Sequence, residues 1–262
     1  MEAGKFNVLF SDLDGTLIFS ANRKKVGDIV IEHKDGAEIS CITARQAELL
    51  PKIRNIIPVT TRSVEQYRRI KFPEGFAPEY VLCDNGSTLL INGEKDGPWL
   101  EQSAEILAEA MEEMTRLRTI LERDPDRRYE VRFVDGFFLF TKSVNPNLTL
   151  ARLGTGENCE CYATGEKVYV IPKRLNKGDA VERLRVLLGI ARENVFCAGD
   201  SLMDVGMLNI ADVAIYTGDI PEKLITAREK IYRPREGFSE FVTEMAYRYC
   251  PRDREVSSCS IF

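Results

Sequence analysis

Two carboxylates one residue apart, Asp12 and Asp14, follow the apolar run Val8-Leu9-Phe10-Ser11 and precede Gly15-Thr16-Leu17. A short run of strand formers ending in acids and a glycine predicts a buried strand that delivers both side chains to its carboxyl end. That edge is where open α/β sheets bind ligands. Acids so close repel each other unless a hard cation such as Mg²⁺ sits among their oxygens. One acid can then attack phosphorus and form an acyl phosphate, while the other serves as general acid and base. A solvated Asp-Gly turn is the plainer alternative for the same residues.

The pattern recurs late in the chain, where Val195-Phe196-Cys197-Ala198-Gly199 ends in Asp200 and, four residues on, Asp204. A second pair of acids at a strand end supplies the missing half of a metal site. Between the two, Ile56-Ile57-Pro58-Val59 leads into Thr60-Thr61-Arg62-Ser63 and a helical stretch from Val64 to Ile70. A hydroxyl there can hold a phosphate oxygen or simply cap the helix. Lys177 opens a helix predicted to run to about Leu188. A cation in a first turn opposes the helix dipole, yet a phosphate site needs one to pair with a transferring oxygen.

Composition removes several other chemistries. His33 is the only histidine and lies in the polar stretch Glu32-His33-Lys34-Asp35-Gly36, so hydrolases built on a histidine base, and most zinc hydrolases, would depend on that one side chain. The 36 basic and 41 acidic residues give a net charge of -5, so no global field draws nucleic acid or an anionic membrane. Seven irregularly spaced cysteines predict reduced thiols and a cytoplasmic setting. Cys159-Glu160-Cys161 is a poor zinc site without further ligands. Met1-Glu2-Ala3-Gly4-Lys5 has no signal-peptide layout, and no apolar run is long enough to span a membrane. Cys259-Ser260-Ile261-Phe262 fits a loose prenylation box, but no polybasic segment precedes it.

The elements that must position these residues follow in order. Alternation from Lys25 to Cys41, turning at Asp35-Gly36, predicts a two-stranded flap beside the first acids. Thr43 with Gln46 opens a helix to about Arg54. Glu79 to Asp84 predicts a third strand, and Asn85-Gly86 a hairpin turn into Thr88-Ile91. A polar linker over Gly93-Pro98 precedes an amphipathic helix from Ser103 to Arg123, with Leu107, Met111, Met114, Leu117 and Leu121 on one face. Strands are expected over Arg128-Val134, Phe137-Lys142, Cys159-Thr164 and Lys167-Ile171. After them come a strand over Asp212-Tyr216, a helix from Pro221 to about Arg228 and a terminal helix from Phe238 to Tyr249.

The string Asp12-Leu13-Asp14-Gly15-Thr16-Leu17 resembles the first motif of the haloacid dehalogenase-like phosphatases. Thr60, Lys177-Gly178 and Gly199-Asp200 with Asp204 resemble the other three motifs in the same order. The resemblance spans most of the chain, and the insertion between the second and third motifs is similar to the second cap type of Cof-like, sucrose-phosphate and mannosylglycerate-phosphate phosphatases. It implies an α/β fold: a Rossmann-like parallel-sheet core with helices on both faces (1–91 and 168–262) and an inserted α+β cap (92–167).

It implies Mg²⁺-assisted hydrolysis of a small phosphorylated metabolite, such as a sugar phosphate, by a monomer or homodimer. Asp12 would be the nucleophile and Asp14 the acid and base. Thr60 and Lys177 would hold phosphoryl oxygens. The cation would be bound by Asp12, Asp14 through its backbone carbonyl, Asp200 and Asp204. Thr61, Arg62, Asn85, Arg132 and Lys142 are the substrate-binding candidates. Two positions depart from the pattern: Thr61 replaces a glycine, leaving the choice between Thr60 and Thr61 open, and Met203 replaces the usual Asn. A sugar phosphomutase with the same aspartates and a non-catalytic protein that keeps the fold are the alternatives.

Overall fold

A computed structural model of the chain describes residues 7–218 and 220–252; the Cys259-Phe262 box and the first six residues lie outside them. The chain runs through β1 (Val8–Ser11), β2 (Phe19–Ser20), β3 (Ile29–Lys34), β4 (Ala37–Ile42), α1 (Ala44–Leu49), β5 (Ile56–Pro58), α2 (Val64–Arg68) and β6 (Tyr80–Cys83). It continues with β7 (Thr88–Ile91), β8 (Glu94–Lys95), α3 (Gly97–Glu122), β9 (Arg132–Val134), β10 (Phe138–Lys142), α4 (Pro146–Leu153), β11 (Cys159–Thr164) and β12 (Lys167–Pro172). Last come α5 (Lys177–Leu187), β13 (Val195–Gly199), α6 (Val205–Leu208), β14 (Val213–Tyr216), β15 (Glu229–Tyr232) and α7 (Phe238–Tyr249).

The central sheet is parallel throughout, in the order β15-β14-β13-β1-β5. Its inner strands β1, β13 and β14 are buried on both faces because each face is covered, while the edge strand β15 carries the exposed Glu229 and Lys230. Val8, Phe10, Val195 and Cys197 pack with Val181, Leu184, Met207 and Leu208 of α5 and α6. Leu9, Phe196 and Ala198 pack with Leu49 of α1 and Phe238 and Val242 of α7 on the other side. β1 lies between β13 and β5, so all three sequence-predicted site strands end along one edge.

The inserted chain builds its own antiparallel sheet, β11-β12-β10-β9. Leu139, Val168 and Val170 on one face pack against Ala110, Met114, Leu117 and Leu121 of α3 and Leu153 of α4. The other face carries Phe138, Tyr169 and Ile171. β12 belongs to this sheet through Pro172, so the segment assigned to the core from 168 begins with residues of the second sheet.

Several elements differ from the expectations, each for a local reason. β6 is not one of the five strands of the central sheet: it pairs with β7 and lies alongside β5, meeting the chain just past it at the parallel Val59–Leu82 bridge. α3 starts at Gly97, inside the expected linker, because Asp96 accepts from the Trp99 N–H and Pro98 suits a first helical turn. α4 is an additional helix, started by Pro146 after Asn145 and stopped at Gly154, whose φ is 71°. α1 gives way at Leu50-Pro51 to a 3-10 turn. The helix expected over Pro221–Arg228 is only a 3-10 turn at Glu222–Leu224, since Ile225 and Ala227, two apart, both enter the core as an extended chain would place them. No helix among the described residues is long and apolar enough to cross a membrane.

Candidate active site

Asp12 follows β1 directly and donates its N–H to the Ala198 carbonyl of β13 at 2.9 Å, which brings the end of the first motif alongside that of the fourth. Carboxylate oxygens of Asp12, Asp200 and Asp204 lie within 4.8 Å of one another. Gly15, at φ 90°, makes this approach possible. A Cβ there would meet the carboxylate of Asp200, so the loop after Asp14 needs both the backbone conformation and the missing side chain.

Lys177 is buried and bridges the acids, 2.5 Å from Oδ1 of Asp12 and 2.7 Å from Oδ1 of Asp204. The glycine after it explains how α5 gets so close, since a Cβ on Gly178 would stand 2.7 Å from the Gly206 backbone. The second oxygen of Asp204 accepts from the N–H groups of Asp200 and Ser201 and from the Ser201 hydroxyl, at 2.9 to 3.0 Å. Asp204 therefore spends both oxygens on fixing Lys177 and the loop that carries Asp200. Oδ2 of Asp200 pairs with Arg235 at 2.8 Å.

The electrostatics match a cluster built for a cation. Burial raises the proton affinity of Asp12 and outweighs the Lys177 ammonium, and Asp204 and Asp200 push it up further. Burial and then Asp204 raise Asp200 against the pull of Arg235. Burial disfavours the charge on Lys177, but Asp12 and Asp204 more than compensate and keep it protonated. Buried oxygen ligands with excess negative charge fit a hard divalent ion.

Asp14 stands apart from that cluster. Its carboxylate is forked by Arg62, Nε to Oδ2 and Nη2 to Oδ1, both at 2.7 Å. Desolvation would raise its pKa, and the Arg62 hydrogen bonds and charge win, holding it below the usual carboxylate value. Arg62 is thus brought to the site, as an ion-pair partner of the second acid.

Thr60 is buried, and its hydroxyl accepts the Arg62 N–H at 3.1 Å, while Thr61 lines the cleft in front of Asp14. Asn85 is also buried; its side-chain amide donates to the Leu175 carbonyl at 3.0 Å, anchoring the linker two residues before Lys177. Lys142 is exposed at the end of β10, opposite Lys167 of β12, and Arg132 lines the cleft while paired with Glu130 at 2.6 Å.

The cleft measures about 930 Å³ and runs between the flap, the core edge and the inner face of the second sheet. Lys167 and Tyr169, two residues apart on β12, line it, and neither stood out in the sequence. The Lys167 charge is felt at Asp14. The Tyr169 hydroxyl is pushed up to about 12 by burial and then by the charge of Asp14, with which it shares the cleft. Met203 packs against the Phe138, Tyr169 and Ile171 cluster, so the residue that replaces the usual Asn makes an apolar contact between the core edge and the insert.

The fold is shared with solved sugar-phosphate phosphatases. The sucrose-phosphatase of Synechocystis sp. PCC6803, solved with sucrose and phosphate, superposes with a TM-score of 0.61 at 18% identity, over 91% of this chain and 97% of that one. The C-terminal domain of C. albicans trehalose-6-phosphate phosphatase gives 0.55 at 16% identity, covering 94% and 92%. A phosphatase of the haloalkanoate enzyme superfamily from Bacteroides thetaiotaomicron gives 0.53 at 12%, covering 94% and 97%. No curated protein sequence matches. The model of the sucrose-6F-phosphate phosphohydrolase family matches residues 5–239, nearly the whole chain and all four motifs. The chain belongs to that family of phosphoric monoester hydrolases.

Proposed function

We propose that the protein hydrolyses the phosphate monoester of a small sugar or related metabolite through an aspartyl-phosphate. The observation that carries this reading is the meeting of Asp12, Asp200 and Asp204 around Lys177 at one sheet edge. Asp12 attacks phosphorus as the bond to the sugar oxygen breaks. Asp14 is ionised on Arg62 in the free site; the charge of the bound phosphate raises its proton affinity, so one oxygen takes a proton from solvent while the other stays on Arg62, and that proton passes to the sugar oxygen. Asp14 then takes a proton from the water that cleaves the acyl phosphate, releasing inorganic phosphate and restoring Asp12. Lys177 fixes Oδ1 of Asp12 and offsets charge on the transferring group. Mg²⁺ held by Asp12, the Asp14 backbone carbonyl and Asp200 would supply positive charge for the phosphoryl oxygens. Asp204 serves this site by holding Lys177 and the Asp200 loop.

Substrate selection falls to the insert, expected over 92–167 and continued structurally by β12, acting as a cap. Its inner face offers an aromatic wall, with Phe140 and Tyr169 ring centroids 5.3 Å apart, beside Lys167 and Lys142. Such a face suits a sugar ring carrying polar groups. Buried free thiols at Cys41, Cys83, Cys159 and Cys197 support a reducing, cytoplasmic setting. The test is phosphate release from a panel of phosphorylated sugars, glycerates and nucleotides, with Mg²⁺ and with EDTA. Sugar phosphates are expected to give phosphate only with the metal. Accumulation of an isomeric sugar phosphate would instead show a mutase.

A further inference from the structure

Glu32 breaks the pattern of its own strand. In a regular hairpin Ile31 and Glu32 face opposite sides, yet both are buried, Glu32 to 1% exposure. The register of β3 on β4 shifts on either side of Glu32, and such a bulge re-aims a side chain. The carboxylate that is turned inward makes three hydrogen bonds. Oε2 accepts from Arg62 Nη1 at 2.8 Å and from the Ser40 hydroxyl at 2.6 Å, and Oε1 accepts from Arg69 Nε at 3.1 Å. Ser40 also accepts from Arg62 Nη2 at 3.0 Å. Nη1 also reaches the Gln66 carbonyl at 3.5 Å, and the Nε and Nη2 edge goes to Asp14.

We infer that Glu32 is a positioning residue: from the flap it aims the Arg62 fork at Asp14 and so sets where the proton donor stands over the cleft. This rests on the reading of Asp14 as the acid and base. A planar guanidinium held on one edge by Glu32 and Ser40 can present only its other edge to Asp14. Stability alone gives little reason for the arrangement, because a buried ion pair is often matched or bettered by apolar residues of the same volume. The bulge, the serine and the second arginine all serve to keep one carboxylate at this spot. A flap that carries Glu32 also reports its own position to the acid, since displacing β3 displaces the fork.

Leaving-group dependence separates positioning from mere support. Phenoxide leaves far better once protonated, whereas p-nitrophenolate departs without a proton, so a misplaced acid slows only the former. In Glu32→Gln, kcat/KM with Mg²⁺ should fall about tenfold or more for phenyl phosphate and stay within about threefold for p-nitrophenyl phosphate. Glu32→Asp, which restores the charge, should recover part of the loss. If Glu32→Gln does not fold, Ser40→Ala should show the same selectivity at about threefold. An equal fall for both esters in a variant that melts like the parent, or no fall for either, overturns the inference. Turnover of p-nitrophenyl phosphate by the unaltered protein tests the hydrolase reading separately.

Discussion

The ammonium of Lys177 lies 2.5 Å from Oδ1 of Asp12, a residue 165 positions away in the chain. It is also the buried cation between Asp12 and Asp204, so its loss leaves carboxylates facing each other without compensation. Lys177→Met should cost about 3–5 kcal/mol in urea unfolding, the usual penalty for breaking a buried pair from one side. Phosphate release should fall by about 10²-fold or more as the transferring oxygens lose their cation.

Gly15 and Gly36 both have positive φ, at 90° and 79°, but only Gly15 faces another residue. Gly36→Ala, at the open tip of the flap, should cost about 1 kcal/mol and leave turnover near the parent value. Gly15→Ala adds a clash with Asp200 to the same backbone strain. It should cost about 2–3 kcal/mol and most of the activity. Melting curves and phosphate release on the two variants check the contrast.

Acid should destabilise the protein partly through Glu32. Burial raises its pKa, but hydrogen bonds from Ser40 and Arg62 and the Arg62 charge leave it below the ordinary 4.5. A depressed folded value means that the unfolded chain binds the proton more readily. The contribution is therefore complete above the unfolded value and is lost as pH falls through the folded one. Between those values the stability of the parent should drop more steeply than that of Glu32→Gln, as read by urea midpoints against pH.

Divalent cation should stabilise the folded chain, and more so at neutral pH than in acid. Asp12 and Asp200 have raised folded values, so without metal they destabilise increasingly as pH rises through that range. An ion relieves this. Mg²⁺ at a hundredfold excess over its Kd should add about 2.7 kcal/mol at neutral pH, and Asp200→Asn should remove most of that gain. EDTA should abolish turnover. A melting temperature indifferent to Mg²⁺ would contradict the assignment of the cluster.

The strand ends were legible because a buried parallel strand is a short apolar run that stops abruptly at its ligands, as Val8–Ser11 and Val195–Gly199 do. Capping boxes were legible for a similar local reason, and Thr43 with Gln46 is one. α7 forms over the predicted Phe238–Tyr249. What depends on tertiary register was not. Glu32 reads as a polar flap residue until a bulge turns it inward. Lys167 and Tyr169 gain their place from the pairing of β12 with β10, which decides the face that looks at the core. The fork of Arg62 on Asp14 joins residues 48 apart, and neither residue carries a local sign of the other.

The assignment of Asp12 as nucleophile is tested most directly by Asp12→Asn, assayed for phosphate release from the best-hydrolysed sugar phosphate in the presence of Mg²⁺. The amide cannot form the acyl phosphate, so release should fall on the order of 10³-fold or more while the melting curve keeps its cooperative shape. Ordinary turnover by that folded variant would contradict the account.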